Sequence, residues 1–183
     1  MIDKISMQRV QLLHPAVRSE GELILQECTQ RLNGRAQVRF TYTLRTFDEQ
    51  AQLYTLGRTV ANPEGKSAKK PLGNIVTWAQ AGDSFHNYGL AIDVCLIIDG
   101  KEASWDVLTD FDGDHVADFR EVIEVFAKYG WEWGGNWNKP KTDTPHFQKT
   151  FGKSIHVLAD LHRAKVFIEG TTYVKFSLLQ QAA

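Results

Sequence analysis

Cysteine is nearly absent from this 183-residue chain, with Cys28 and Cys95 as its only two, each in an apolar setting. Both are expected as small buried hydrophobes rather than as a disulfide. Long apolar runs are missing too, and none approaches the length needed to cross a bilayer. There is no excess of positive charge: 21 Lys and Arg stand against 22 Asp and Glu, which argues against a nucleic-acid-binding surface. The start, Met1-Ile2-Asp3-Lys4-Ile5-Ser6, lacks the basic residues and apolar core of a secretory signal. The chain is therefore expected to remain in the cytoplasm as synthesised. Repeats, low-complexity tracts and linkers are also missing, so residues 1–183 are expected to form one domain, long enough to bury about 70% of its unfolded surface.

Local patterns supply the elements. Val17, Ile24, Cys28 and Leu32 recur at helical spacing and stop at Asn33-Gly34, predicting a helix over 16–32. Residues 37–45 alternate, with Val38, Phe40, Tyr42 and Leu44 on the side expected to face the core. Thr46 and Glu49 form a capping box opening a helix with Phe47, Ala51 and Tyr54 on one face. Residues 57–84 read as a long loop, either a binding loop or a solvated insertion, with a short strand expected at Ile75–Trp78. A buried strand over 90–98 ends in Asp99-Gly100, a turn that predicts a hairpin or bend. A helix over 119–129 follows, with Phe119, Val122, Ile123, Phe126 and Tyr129 on one stripe. From Ser154 the tail reads as a short helix and then a strand pair around Glu169-Gly170. The mixture points to an α+β domain.

One residue breaks the apolar run Leu90–Ile98, and it is a carboxylate, Asp93. Burying an unpaired charge there costs several kcal/mol unless it is paired or bound to a metal. His86 and His146 are the available partners, and two histidines, an aspartate and an open fourth position describe a catalytic zinc site. His86 and Asp93 are seven apart, so neither a straight helix nor a straight strand lets both grip one ion; a turn at Gly89 does. Asp143, three residues before His146, is either a general base beside the metal or a turn former before Thr144-Pro145. Arg45, on the polar face of its strand, is either a cation for developing oxyanion charge or one half of a surface salt bridge. His14, His115, His156 and His162 lack such company and are expected as surface or packing residues.

Together these residues resemble the M15 family of zinc peptidases. Ser84, His86, Gly89, Ala91 and Asp93 fill the family's first signature, and Asp143, His146 and Phe147 its second. Leu44-Arg45-Thr46 with Glu49-Gln50, Leu56-Gly57-Arg58-Thr59 and Trp133-Gly134-Gly135-Asn136-Trp137 match as well. The resemblance implies a small α+β domain of the type shared with hedgehog signalling proteins, an antiparallel sheet flanked by helices. Its catalytic core covers about 10–150, and an extension, 151–183, packs on it. It implies zinc on His86, Asp93 and His146, Asp143 as base, Arg45 steadying the substrate or oxyanion, Ser84 near the metal, and Trp133 and Trp137 along the substrate. The implied substrate is a peptidoglycan stem peptide met by a monomer. Asp143, where carboxypeptidase members generally carry glutamate, favours L-alanyl-D-glutamate endopeptidase over D-alanyl-D-alanine carboxypeptidase. The segment Ala61–Leu72 is longer than the usual link. A phage-derived chain of this kind acts on the wall after release. The alternative of another class is a catalytically silent zinc-containing binding module.

A second metal motif lies at Asp110-Phe111-Asp112-Gly113-Asp114, which resembles the start of a calcium loop with Asp118 and Glu121 at its ninth and twelfth positions. His115 occupies the sixth position, where glycine is usual, and Asp118 with Glu121 also reads as a capping box for the next helix.

Overall fold

Residues 2–32 and 34–176 are described by the computed structural model of the chain. Its elements are helix α1 (Lys4–Gln11), helix α2 (Arg18–Arg31), strand β1 (Ala36–Tyr42), helix α3 (Phe47–Thr55) and strand β2 (Ala91–Ile98). Strand β3 (Glu102–Ser104), helix α4 (Asp118–Lys128), strands β4 (Glu132–Trp133) and β5 (His146–Gln148) and helix α5 (Ile155–Arg163) complete it. The fold is α+β, as the pattern of elements predicts.

Strand β2 is apolar on both sides and forms the middle of the antiparallel sheet, whose order is β1-β2-β5-β4. One edge of β2 takes β1. Its other edge is shared, with β5 along Ala91–Asp93 and β3 along Leu96–Ile98 after the turn at Asp99-Gly100. Asp93 is therefore flanked by Tyr42 on one side and His146 on the other. Helix α4 presents the buried residues Phe119, Val122, Val125 and Phe126 to the sheet. The Phe126 ring stacks on Phe147 at 4.0 Å and lies 5.9 Å from Phe40. The core thus fixes Phe147, and with it the orientation of its neighbour His146 on the opposite face.

The Thr46–Glu49 capping box forms as expected, and Cys28 and Cys95 are buried free thiols. Other expectations need correction. Helix α1 has no strong apolar stripe in the sequence; Asp3 caps it by accepting from Ser6 N at 2.8 Å, and Arg39 pairs with Asp3 at 2.8 Å. The region expected as one helix over 16–32 is a short 3₁₀ turn at Pro15–Val17 followed by α2. Strand β1 stops at Tyr42, because the register shifts between Phe40 and Tyr42 and turns Thr43 inward. Tyr42 and Leu44 consequently do not join the core. In α3 it is Gln50 that is buried, while Ala51 is exposed. Ile75–Trp78 is irregular, with Ile75, Val76 and Trp78 exposed.

The capping box expected at Asp118 and Glu121 does not form. Ala117 is the N-cap, and Asp118 instead accepts from Phe111 N at 2.6 Å. The strand pair expected near Glu169-Gly170 is a single bridge between Phe167 and Val174. Within the tail, Val174 O accepts from His14 at 2.9 Å, and the Tyr173 hydroxyl donates to Leu12 O at 2.9 Å. Residues 177–183 of the expected extension lie outside the described residues. Among the described residues no helix is long and apolar enough to cross a membrane.

Candidate active site

His86 sits in a 3₁₀ turn, Phe85–Tyr88, opened by Ser84, whose hydroxyl accepts from His86 N at 3.3 Å. The turn closes on Gly89 at φ 67°, where a Cβ would lie 2.7 Å from His14 N. Only glycine meets both demands there. The chain reverses and enters β2, which returns Asp93 to His86. His86 Nε2 lies 3.0 Å from Asp93 Oδ1 and 3.1 Å from His146 Nδ1, and His146 Nδ1 lies 3.1 Å from the same carboxylate oxygen.

The two imidazoles are held in a particular orientation. His86 Nδ1 is 2.7 Å from the carbonyl oxygen of Thr43, so it carries the proton and leaves the Nε2 lone pair facing the cluster. His146 Nε2 is 3.2 Å from Gln148 Oε1. Gln148 is fixed in that sense because its Nε2 donates to Glu132 at 3.1 Å. His146 therefore donates outward and also turns a lone pair, on Nδ1, inward. Two imidazole lone pairs and a carboxylate oxygen meeting at about 3 Å repel one another unless a cation stands between them. This donor set fits zinc, and the outer hydrogen bonds are those that orient histidine ligands.

Arg45 supplies the nearest fixed positive charge. Its guanidinium is 3.5 Å from Asp93 Oδ2, donates to Gln50 Oε1 at 2.9 Å and stacks over Tyr42 at 4.7 Å. Among the described residues its buried Nε has no hydrogen-bond partner. Gln50 in turn donates to Ala79 O at 2.8 Å, tying Arg45 to the loop that the sequence left undecided. That loop supplies Ile75–Ala79 to one wall of a cleft of about 660 Å³ over His86, Asp93 and His146. Trp137 and Asp143 line the cleft as well, and the Trp78 indole donates to Pro140 O at 3.2 Å.

Asp143 opens onto this cleft. Crowding by surrounding protein and then the Asp93 charge raise its carboxyl above the ordinary value. Its position depends on Gly134: Asp143 N donates to Gly134 O at 3.1 Å, and a Cβ on Gly134 would lie 2.6 Å from Asp143 O.

A family model described as D-alanyl-D-alanine carboxypeptidase, of the M15 peptidases, matches residues 78–149. The peptidoglycan L-alanyl-D-glutamate endopeptidase CwlK of Bacillus subtilis (strain 168) is 38% identical over 136 residues, covering 74% of this chain and 72% of that protein. The chain belongs to the M15 peptidase family. A solved L-Ala D-Glu endopeptidase, ChiX of Serratia marcescens, aligns with 81% of this chain and 88% of its own at 22% identity and a TM-score of 0.49.

Within this M15 peptidase the sequence-predicted residues divide. Ser84, His86, Asp93, His146, Arg45, Asp143 and Trp137 come together in the cleft. Trp133 does not line it; its indole donates to Thr144 O at 2.7 Å and its ring packs against Gly135, which positions the approach to His146. Asp110 and Asp112 group with Asp118, and Asp112 and Asp114 with Glu121, none of them lining the cleft. His14 and His162 pack as expected, the latter stacking on Phe47 at 4.4 Å, whereas His156 lines the cleft from α5. Sequence reasoning missed Thr43, Gln50, Asn87 and Gln148. Asn87 donates to Arg45 O at 3.0 Å and accepts from Gly82 N at 3.0 Å. Gln148 carried a readable signal, since it lies two residues after His146 on one strand and so on the same face.

Proposed function

We propose that this M15 peptidase is zinc-dependent and hydrolyses the L-alanyl-D-glutamate bond of peptidoglycan stem peptides. The observation that carries the proposal is the convergence of the His86 and His146 lone pairs on Asp93, each imidazole held by a second hydrogen bond, beside Asp143 in an open cleft. The L-alanyl-D-glutamate endopeptidase activity of the Bacillus relative supports the choice of bond.

His86, Asp93 and His146 would hold the zinc ion, which supplies a Lewis acid for the scissile carbonyl and lowers the pKa of water toward about 7. Asp143 takes a proton from the attacking water and delivers it to the leaving amine as the carbon–nitrogen bond breaks. Its raised carboxyl suits a group that must both accept and give up that proton. Arg45, steadied by Gln50 and Tyr42, offsets negative charge developing on the carbonyl oxygen. Trp78 and Trp137 offer apolar walls for the peptide.

D-alanyl-D-alanine carboxypeptidase is a second reading, favoured by the description of the matching family model. Mass spectrometry of a defined disaccharide-tetrapeptide separates the two. A new amino terminus at D-glutamate supports the endopeptidase, and loss of a single terminal alanine moves the activity to the carboxypeptidase. A zinc-loaded protein that alters neither this substrate nor sacculi would make a silent binding module the better account.

A further inference from the structure

Outside the cleft, carboxylates also crowd at the entry to α4. Ligand atoms of Asp110, Asp112 and Asp118 lie within 4.8 Å of one another, as do those of Asp112, Asp114 and Glu121. The shared Asp112 joins the two groups, so five acidic side chains from a twelve-residue stretch form two adjoining triads. Two of them are buried: Asp118 is 0% exposed and Glu121 8%. Each keeps a buried oxygen, Asp118 Oδ1 and Glu121 Oε2, without a hydrogen-bond partner among the described residues.

A carboxylate oxygen removed from water and left unpaired is strongly disfavoured. Here the disfavour is compounded by like charge. Burial first, then Asp114, Asp112 and Asp118, push the Glu121 carboxyl up to about 7. The cation facing Glu121 is Arg31, which is already shared with Glu27 and Glu124. Backbone N–H groups of Phe111, Gly113, Asp114, His115 and Val116 meet other oxygens of the cluster, but none reaches Asp118 Oδ1 or Glu121 Oε2.

We propose that the segment Asp110–Glu121 is a calcium-binding loop. The acidic residues stand at positions one, three, five, nine and twelve, the spacing of a calcium loop closed by glutamate. His115, at the sixth position, adopts φ 77°, the left-handed conformation for which such loops ordinarily use glycine. The backbone thus makes the required turn despite the departure that the sequence shows. An all-oxygen, highly anionic donor set selects a hard cation over zinc, and its many carboxylates suit the six to eight ligands of calcium better than the small, water-retaining magnesium ion. The loop leads directly into α4, whose Phe126 stacks on Phe147 beside His146, so the cation would anchor the helix that backs the catalytic strand.

The test uses the 183-residue chain stripped of metal on a chelating resin and then reloaded with one equivalent of zinc. Calcium chloride alone, at 100 times its dissociation constant, is expected to raise the melting temperature by about 5–10 °C, and calorimetric titration to show one site per chain. Asp118→Asn and Glu121→Gln are expected to melt higher than the wild type without calcium, since each removes a buried like charge, and to lose the calcium increment. Asp114→Asn, at an exposed position, tests the same loss without touching the buried pair. A wild-type melt and titration both unmoved at about 10 mM calcium, above the roughly 0.1–1 mM range of weak extracellular modules, would overturn the proposal. So would a calcium increment of equal size in all three variants.

Discussion

Replacing Gly134 by alanine places a methyl carbon 2.6 Å from the backbone oxygen of Asp143, 3.2 Å from His146 Cβ and 3.3 Å from Asp143 Cβ. Comfortable contacts of this kind begin near 3.5 Å, so the neighbours must retreat by roughly half an ångström or more. The retreat cannot be absorbed by a flexible side-chain end. Gly134 O accepts from both Trp137 N and Asp143 N at 3.1 Å, and His146 N donates to Asp143 O at 3.3 Å, so the segment is pinned on both sides of the clash. The displaced atoms belong to Asp143, the proposed base, and to His146, a proposed zinc ligand. A misplacement approaching 1 Å costs catalysis about a hundredfold, so Gly134→Ala is expected to lower kcat by roughly 10- to 100-fold. Overpacking also destabilises by about 1–3 kcal/mol, leaving a folded protein. Gly134 does not have a positive φ, so backbone strain contributes nothing and the effect belongs to the close approach. The assay pairs steady-state turnover on a defined stem peptide with a thermal melt and zinc analysis of the same sample. A well-folded Gly134→Ala protein with wild-type kcat would refute the reasoning.

Gln148→Leu removes the acceptor that orients His146 and is expected to weaken zinc affinity by about 10- to 100-fold, measured by competition with a chromophoric chelator. Asp143→Asn is expected to reduce kcat by about 10²–10⁴-fold. In the wild type the base works only when deprotonated, and its carboxyl is raised. Turnover should therefore climb with pH through a value above the ordinary aspartate pKa of about 3.9, and a pH–rate profile of the Asn variant should lack that limb. Thr46→Ala breaks the capping box of α3 at a cost of about 0.5–2 kcal/mol, read as a lower urea midpoint.

The legible parts of the fold are those whose causes are local. Strand β2 announces itself as an apolar run and α4 as a helical stripe, and Thr46 with Glu49 completes a cap within four residues. Helix α1 is illegible because its support is tertiary: Arg39, 36 residues away, holds its capping Asp3. The inward turn of Thr43 follows from a bulge against β2, and the failed cap at Asp118 follows from Phe111 N claiming its carboxylate. The same division holds in the cleft. Asp93 stands out because a charge inside an apolar strand demands partners, and histidines are the residues that meet the demand. The roles of Gln50 and Asn87 are set by loops that fold back on Arg45 from distant sequence, and no spacing rule anticipates them.

The central claim is that His86, Asp93 and His146 hold one zinc ion on which peptide hydrolysis depends. It is tested most directly by adding zinc stepwise to the metal-free protein while following cleavage of a defined stem peptide. The rate should rise in proportion to zinc and level off at one equivalent per chain, and His86→Ala should show no such rise. Full turnover by the metal-free protein, or an unchanged zinc dependence in His86→Ala, would contradict the account.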